Sequence, residues 1–315
     1  MQPKLLAHNS VVTALVGYTG CVGSNLALTH NFSALYNSKN IEQAFGTTPD
    51  LLVFAGLSGD KTVANKNPAQ DFKAIENAFT NIQRIDPKKL ALISSNDVYL
   101  NNNGVDEDSF METNGLAAYG LNRYHLEQLV ANSGLDYTIV RLPIAYGENL
   151  KRNFIYDIIN VVPPKLPTEL FRKFTGQAPR LADYYTDLQN GFYGLQNTTP
   201  ELRGIFAELG FSAVNFMDSR AILQFYDLAN LWRDIERALD AGYPLVNLAT
   251  EPVSAADIYS RARGVPFQNE ILARPPQTDI RSKYAPGGYW YNKDTMLKSI
   301  VDFIREKSKT VSAPS

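Results

Sequence analysis

The sequence predicts an α/β protein: a doubly wound parallel sheet with crossover helices, plus a smaller lobe drawn mainly from the C-terminal half. Three observations carry this. Short apolar, β-rich runs alternate with amphipathic stretches through the first 147 residues, the pattern of strands joined by crossover helices. The first run ends in a glycine-rich turn that opens a helix. After Gly147 the rhythm breaks, at the proline-rich "VVPPKLPTEL" of 161–170.

Taken in order, "VVTALVG" (11–17) is a buried strand by length and composition. "CVGSNLALTH" opens a helix, "FSALY" (32–36) is a second strand and "DLLVFAG" (50–56) a third. Residues 67–86 place Phe72, Ile75, Phe79 and Ile82 at three- and four-residue steps, which makes an amphipathic helix. "KLALISS" (89–95) is a strand. Residues 121–134 form a helix stopped at Ser133-Gly134, and "DYTIVRLP" (136–143) is a strand. Residues 168–211 read as mostly helical. "AVNFM" (213–217) and "LVNLAT" (245–250) read as strands, with a helix over 227–242 between them. A helix over 293–309 precedes a tail, "TVSAPS", expected to fray. The expected division is a nucleotide-binding domain of 1–150 plus about 212–250, and a lobe of about 151–211 plus 251–315.

Composition excludes several classes. The 315 residues are 44% apolar and 20% charged with net charge −2, so no basic surplus points to nucleic acid or anionic membrane. The single cysteine, Cys21, excludes an intrachain disulfide. His8, His30 and His125 lie far apart, and no run has metal-ligand spacing. The N-terminal stretch is broken by His8, Asn9 and Ser10, unlike a signal peptide, and no run reaches the length of a membrane helix. A cytoplasmic protein without a metal is expected.

The first strand runs into Gly17-x-x-Gly20-x-x-Gly23. Glycines there permit a tight turn and close backbone approach to a pyrophosphate, and the helix start offers unpaired N–H groups. The loop's Thr19, Cys21 and Val22 share that position, with Cys21 read as a small filler. After the second strand, where a ribose-binding acid is expected, the chain has Asn37, Ser38 and Lys39. Ser38 and Lys39 suit a 2′-phosphate, which favours NADP over NAD.

Further landmarks follow in one order: "DLLVFAGLSGDKTVANKNP", "LISSNDVY" (92–99), Tyr119-x-x-x-Arg123 and "IVRLPIAYG" (139–147). The ordered set resembles the extended short-chain dehydrogenase/reductases, the family of nucleotide-sugar epimerases and dehydratases. The resemblance implies a Rossmann-type sheet, and NADP or NAD held by Gly17, Thr19, Gly20, Cys21, Val22, Gly23, Asn37, Ser38, Lys39, Ala55, Gly56, Leu57, Pro143 and Ile144. It implies that Ser95, with Ser94 beside it, bonds the reacting oxygen and that Tyr119 acts as acid or base. Arg123 stands where the family has a lysine. One helical turn from Tyr119, its permanent charge still favours a phenolate, although its planar fork binds differently from an ammonium. Asn96-Asp97 replaces the Asp-Glu of the dehydratase branch, which favours epimerase or reductase chemistry. Only 13 residues separate "FSALY" from "DLLVFAG", so the strand that relatives carry there is reduced or missing.

In the C-terminal half the resemblance places Arg220 and, more loosely, Arg281 as arginines for substrate phosphate, with Asn153 meeting the substrate and Lys151 and Arg152 adding charge. It also implies a homodimer formed through the helices at 67–86 and 121–134, acting on a phosphate-bearing small molecule. Two functions stay open: an NAD(P)-dependent sugar-nucleotide epimerase or reductase, or a nucleotide-binding regulator or scaffold whose chemistry was lost at Arg123.

Overall fold

The computed structural model describes residues 11–312. The readings of the N-terminal stretch with His8, and of the last three residues of the tail, fall outside the described residues. The chain forms two compact units. The first comprises 1–149, 224–252 and 278–296; the second comprises 150–223, 253–277 and 297–315.

The first unit is built on six parallel strands. Their order is Leu245–Asn247, Asp136–Leu142, β4 (Lys89–Ser95), β3 (Leu51–Phe54), β1 (Thr13–Val16) and β2 (Ala34–Tyr36). The helices are α1 (Cys21–Thr29), α2 (Lys61–Lys66), α3 (Pro68–Ile85) and α4 (Ala118–Ala131), with another at Leu231–Asp240. Because strand side chains alternate, each strand feeds both faces. Ala14, Val16, Leu52, Phe54, Leu90 and Leu92 pack with Ile75, Ala78, Ile82, Leu126 and Val130 of α3 and α4. Leu15, Val53, Ala91 and Val140 pack on the other face with Leu26 of α1 and with Trp232 and Ile235. This double burial explains the near-continuous apolar runs in the sequence. The strand order reverses between β1 and β3, where such sheets open a crevice for ligands.

One polar cluster is buried inside this unit. Arg141 and Glu127 are 2% and 1% exposed and 2.5 Å apart. Ser94 donates to Glu127 at 2.5 Å, and Arg141 donates to the Tyr99 hydroxyl at 2.7 Å. The Asn247 amide also donates to that hydroxyl, at 2.9 Å. Burial pushes the Tyr99 hydroxyl up, with Arg141 opposing.

The second unit has its own core of Leu166, Phe171, Phe174, Leu181, Tyr185, Leu202 and Phe206. It contains a three-stranded antiparallel sheet of Lys165–Pro167, Phe192–Leu195 and Tyr185–Asp187.

Several elements differ from expectation. "AVNFM" is not a strand. Ala213–Phe216 is a 3₁₀ turn closed by a reciprocal Ser212–Asn215 capping box, and local side-chain bonds outweigh β-propensity there. The stretch 168–211 is helical only at Thr168–Gln177, Pro179–Tyr184 and Pro200–Glu208, and the small sheet was not foreseen. On α3 the fully buried face is Ile75, Ala78, Ile82 and Ile85; Phe72 is exposed and lies 5.0 Å from His125, and Phe79 is half-buried. The final helix runs Lys293–Ser312, so Thr310–Ser312 of the tail are helical. Two segments also group differently from the expected domains. Asp279–Ile280 pair with Asn103 and Val105 in the first unit, and Ile222–Leu223 pair with Val253–Ser254 in the second. Where an extra strand was expected to be reduced or missing, Ile41–Ala44 forms a 3₁₀ turn and β2 ends the sheet. No helix among the described residues is long and apolar enough to cross a membrane.

Three stability predictions follow from these cores. Glu127→Ala leaves Arg141 as an unpaired buried charge and is expected to cost about 3–5 kcal/mol in urea unfolding followed by circular dichroism. Ser94→Ala removes only one donor and costs about 1–2 kcal/mol. In the second unit, burial raises the Asp157 carboxyl to about 7. A carboxyl whose folded pKa lies above its unfolded value binds protons more tightly when folded, so stability falls as pH rises from about 4 to 7. Asp157→Asn is expected to remove that slope and to stabilise the protein at pH 8 by on the order of 2 kcal/mol, read from urea midpoints at pH 5 and pH 8.

Candidate active site

The glycine turn is shaped by close backbone approach. Gly17 has φ +96°, and a Cβ there would lie 2.3 Å from the Ala55 carbonyl oxygen. A Cβ on Gly23 would lie 2.1 Å from the Gly17 oxygen. The turn closes by Gly20 N–H donating to Gly17 O at 2.9 Å, while Gly17 N–H donates to Tyr36 O at 2.7 Å. Gly20 caps α1 with no side-chain bond, and the first turn of α1 carries no acid. The N–H groups at that end are therefore not blocked by a side-chain cap or countered by a local carboxylate, as an anion site needs. Such a cradle fits the pyrophosphate of a dinucleotide.

Beside it lies a cleft of about 500 Å³. Gly17, Thr19, Gly20, Asn37, Ser38, Ala55, Gly56 and Leu57, all named from the sequence, are among the residues that line it. Cys21, Val22, Gly23, Lys39, Pro143 and Ile144 are not among its lining residues. Gly23 acts under the turn. The Cys21 thiol donates to the Glu148 carbonyl at 3.6 Å, which suits a small filler. Pro143 and Ile144 are half-buried, and the Ile144 N–H donates to Gln224 O. Asn37 closes its own turn by accepting from Lys39 N–H at 2.8 Å. The sequence reading missed Ile41, Asn77 and Asn81, which also line the cleft. Asn77 and Asn81 are four residues apart on α3, so helical spacing would have paired them.

A second group of side chains gathers around Tyr119. The tyrosine is 8% exposed, and its N–H, uncapped by its own helix, donates to Asn65 Oδ1 at 2.8 Å. The Arg123 guanidinium lies 4.6 Å from the ring centroid. It is 4% exposed and ion-paired with Asp71 at 3.3 Å, and it donates to the Ser58 carbonyl at 2.7 Å. Asp71 also accepts from Asn122 at 2.9 Å. Arg123 thus carries a local counter-charge that the spacing of Tyr119 and Arg123 did not reveal. Ser58 lines the cleft, so Arg123 touches its wall through that carbonyl.

On the other side, Ser95 donates to Asp97 at 2.8 Å and Asp97 is ion-paired with Lys61 at 2.5 Å. The Lys61 ammonium is 5.9 Å from the Tyr119 ring centroid. Gly120 allows α4 to approach this turn, since a Cβ there would lie 2.0 Å from the Asp97 carbonyl oxygen. Gly120, Asp71 and Lys61 are site-forming residues with no motif of their own in the sequence. Asn25 is another: its side chain bonds both the N–H and the carbonyl of Glu148 and so holds the turn after "IAYG" against α1.

The remaining candidates are divided between the units. In the first, Arg281 is 2.8 Å from Asp279 and holds that carboxyl below its usual range. Burial, then Asp279, pushes the neighbouring Tyr289 up to about 12. In the second, Arg220 is paired with Asp218 at 2.8 Å and with Glu270 at 3.0 Å, and donates to the Leu272 carbonyl. Arg220, followed by the surrounding backbone N–H groups, holds the Asp218 carboxyl well below the carboxylate range. Both arginine forks therefore already grip carboxylates. Asn153, at φ +129°, caps Phe154–Asn160 by accepting from Tyr156 N–H at 3.0 Å. Lys151 and Arg152 beside it are exposed. Among the described residues there is no group of three or more His, Cys, Asp or Glu that could hold a metal ion.

The family model described as the NAD dependent epimerase/dehydratase family matches residues 5–178. Among solved structures, a dTDP-4-dehydrorhamnose reductase from Bacillus anthracis, in complex with NADP, is similar at 17% identity and TM-score 0.62, over 93% of this chain and 97% of that one. RMD from Pseudomonas aeruginosa, complexed with NADPH, is similar at 13% identity and TM-score 0.62, over 94% and 99%. The Bordetella bronchiseptica enzyme WbmG, in complex with NAD, is similar at 14% identity and TM-score 0.59, over 96% of each chain. At these identities the likeness establishes the fold. No curated protein matches the chain.

The close approach at Gly120 predicts a contrast between two glycines. Gly120→Ala must push α4 from Asp97 and is expected to lower the melting midpoint by about 4 °C or more. Gly204→Ala, on an exposed helical site with open space around it, is expected to leave the midpoint unchanged or raise it by about 2 °C. Differential scanning fluorimetry of both variants checks this.

Proposed function

The chain belongs to the NAD-dependent epimerase/dehydratase family, and from that membership we propose that it is an NAD(P)-dependent oxidoreductase or epimerase acting on a nucleotide-sugar-like substrate. The observation that carries the proposal is the pairing of an unblocked glycine cradle with Tyr119 and Ser95 in the same unit. Gly17, Gly20 and the first N–H groups of α1 hold the pyrophosphate. Asn77 and Asn81, with Ile41, offer polar edges and an apolar wall to the adenine half. The turn at Asn37–Lys39 has no carboxylate for a ribose 2′-hydroxyl, and Ser38 and Lys39 suit a 2′-phosphate, which favours NADP.

The nicotinamide supplies or accepts the hydride when bound. The chain's own residues handle the proton and the oxygen. Tyr119 Oη takes the proton from the substrate hydroxyl, or returns it to the carbonyl oxygen in the reverse sense. Ser95, whose oxygen is held by the Asp97 N–H, turns its proton from the Asp97 carboxylate to the substrate oxygen and steadies it. Burial of Tyr119 and Arg123 keeps bulk water from this side of the reacting centre. Asn153 in the second unit remains a proposed substrate contact. Arg281, whose Nε and Nη2 bond Asp279, and Arg220, whose fork bonds Asp218 and Glu270, remain proposed phosphate contacts, each within its own unit. A homodimer through α3 and α4 is proposed on the exposed Phe72 and Leu121.

A second reading, a nucleotide-binding regulator without hydride transfer, is favoured by one observation: Asp71 balances the charge of Arg123 beside Tyr119. One experiment separates the two. The purified protein is denatured, released nucleotide is identified by mass, and the emptied protein is titrated with NAD and NADP. Substrate screening with the preferred cofactor follows. The enzyme reading expects cofactor binding, and turnover that falls about 10²–10⁴-fold in Tyr119→Phe with cofactor affinity within about threefold of wild type. Binding without turnover on any sugar nucleotide leaves the regulator. No binding of either cofactor removes both.

A further inference from the structure

We infer that Lys61 is a further cofactor-contacting residue, which holds the nicotinamide-ribose half of a bound dinucleotide; the inference rests on the nucleotide-binding reading above. Lys61 follows directly from the cleft wall. Leu57 and Ser58 line the cleft, Asp60 caps α2 by accepting from Val63 N–H, and Lys61 is the first residue of that helix. Its ammonium stands 5.9 Å from the Tyr119 ring centroid and 2.5 Å from Asp97, which accepts the Ser95 hydroxyl. It is therefore close to the Tyr119 ring and linked to Ser95 through Asp97, the two side chains proposed to meet the reacting oxygen.

Two cations flank Tyr119, and their freedom differs. Arg123 is 4% exposed, and its guanidinium is held by Asp71 and the Ser58 carbonyl. Lys61 has a side chain 53% exposed with Asp97 as its carboxylate partner. An ammonium has three donors, so after bonding Asp97 it keeps donors for a ligand on its open side. Ribose hydroxyls are good acceptors for them. A dinucleotide whose first half fills the cleft continues past Ser58 toward Tyr119, and its second ribose is the part that comes within reach of this ammonium. Asp97 then serves twice: it orients Ser95 and keeps the flexible lysine stem aimed at the site, which lowers the ordering cost of the contact.

The experiment uses the full chain and two probes that share an adenine half. These are NADPH with 2′,5′-ADP, or NADH with 5′-ADP, according to which cofactor the protein prefers. Dissociation constants are measured by fluorescence or calorimetry for wild type, Lys61→Met and Lys61→Arg. Lys61→Met is expected to weaken the whole dinucleotide about tenfold, as loss of a hydrogen bond to a charged donor does. Binding of the adenine-half probe is expected to stay within about twofold, and Lys61→Arg is expected to recover most of the loss. Because the side chain is half-exposed, melting midpoints should match wild type within about 2 °C. Equal binding of the dinucleotide by wild type and Lys61→Met overturns the inference. So does an equal loss for both probes, which would place the effect on the long-range field or on the adenine half. Failure of wild type to bind any of these nucleotides overturns the nucleotide-binding reading itself, a result distinct from the other two.

Discussion

The buried pair of Arg141 and Glu127 is the constraint on which the site's geometry depends. Taking two such charges out of water costs several kcal/mol each, and the cost is recovered only with good geometry and further hydrogen bonds. Arg141 donates through Nε and Nη2 to the carboxylate and through Nη1 to Tyr99, and Ser94 completes the Glu127 shell. The pair leaves α4 little freedom to slide. Tyr119, Arg123 and Glu127 recur every four residues on one buried face, so pinning Glu127 to the strand Asp136–Leu142 also sets the rotation that aims Tyr119. Ser94 ties the same carboxylate to the end of β4, one residue before Ser95. A single buried charge pair thus couples the helix with the tyrosine to the strand with the serine.

Close backbone approach supplies the second constraint. Gly120 lets α4 lie against the Asp97 carbonyl, and Gly17 and Gly23 let the first turn fold under Ala55. In each case a methyl group would collide with backbone, which cannot swing aside as a side chain can. The glycines therefore act through distance, at two places where backbone segments meet closely.

Several cations are balanced by carboxylates of their own unit. Lys61 faces Asp97, Arg123 faces Asp71, Arg281 faces Asp279, and Arg220 faces Asp218 and Glu270. A pair as buried as Arg123 and Asp71 is expensive to open, whereas in the more exposed pair of Lys61 and Asp97 the cation stays open to solvent.

The sequence by itself determined the parallel sheet, most of its strands and helices, and the glycine turn, because these are written in local periodicity and in residues whose backbone freedom is local. It also named half of the residues that line the cleft, those at strand ends and turns; the rest include Ala74, Asn77, Ala78 and Asn81 of α3. Tertiary structure alone decided what each charge faces. Asp71 lies 52 residues from Arg123 and Asp97 lies 36 from Lys61, so no window of sequence contains both partners. Likewise the 3₁₀ turn at Ala213–Phe216 and the true buried face of α3 follow from caps and neighbours that propensity does not see. Pattern along the chain records which way a residue points within its own element; what it meets there is settled by the packing of elements distant in sequence.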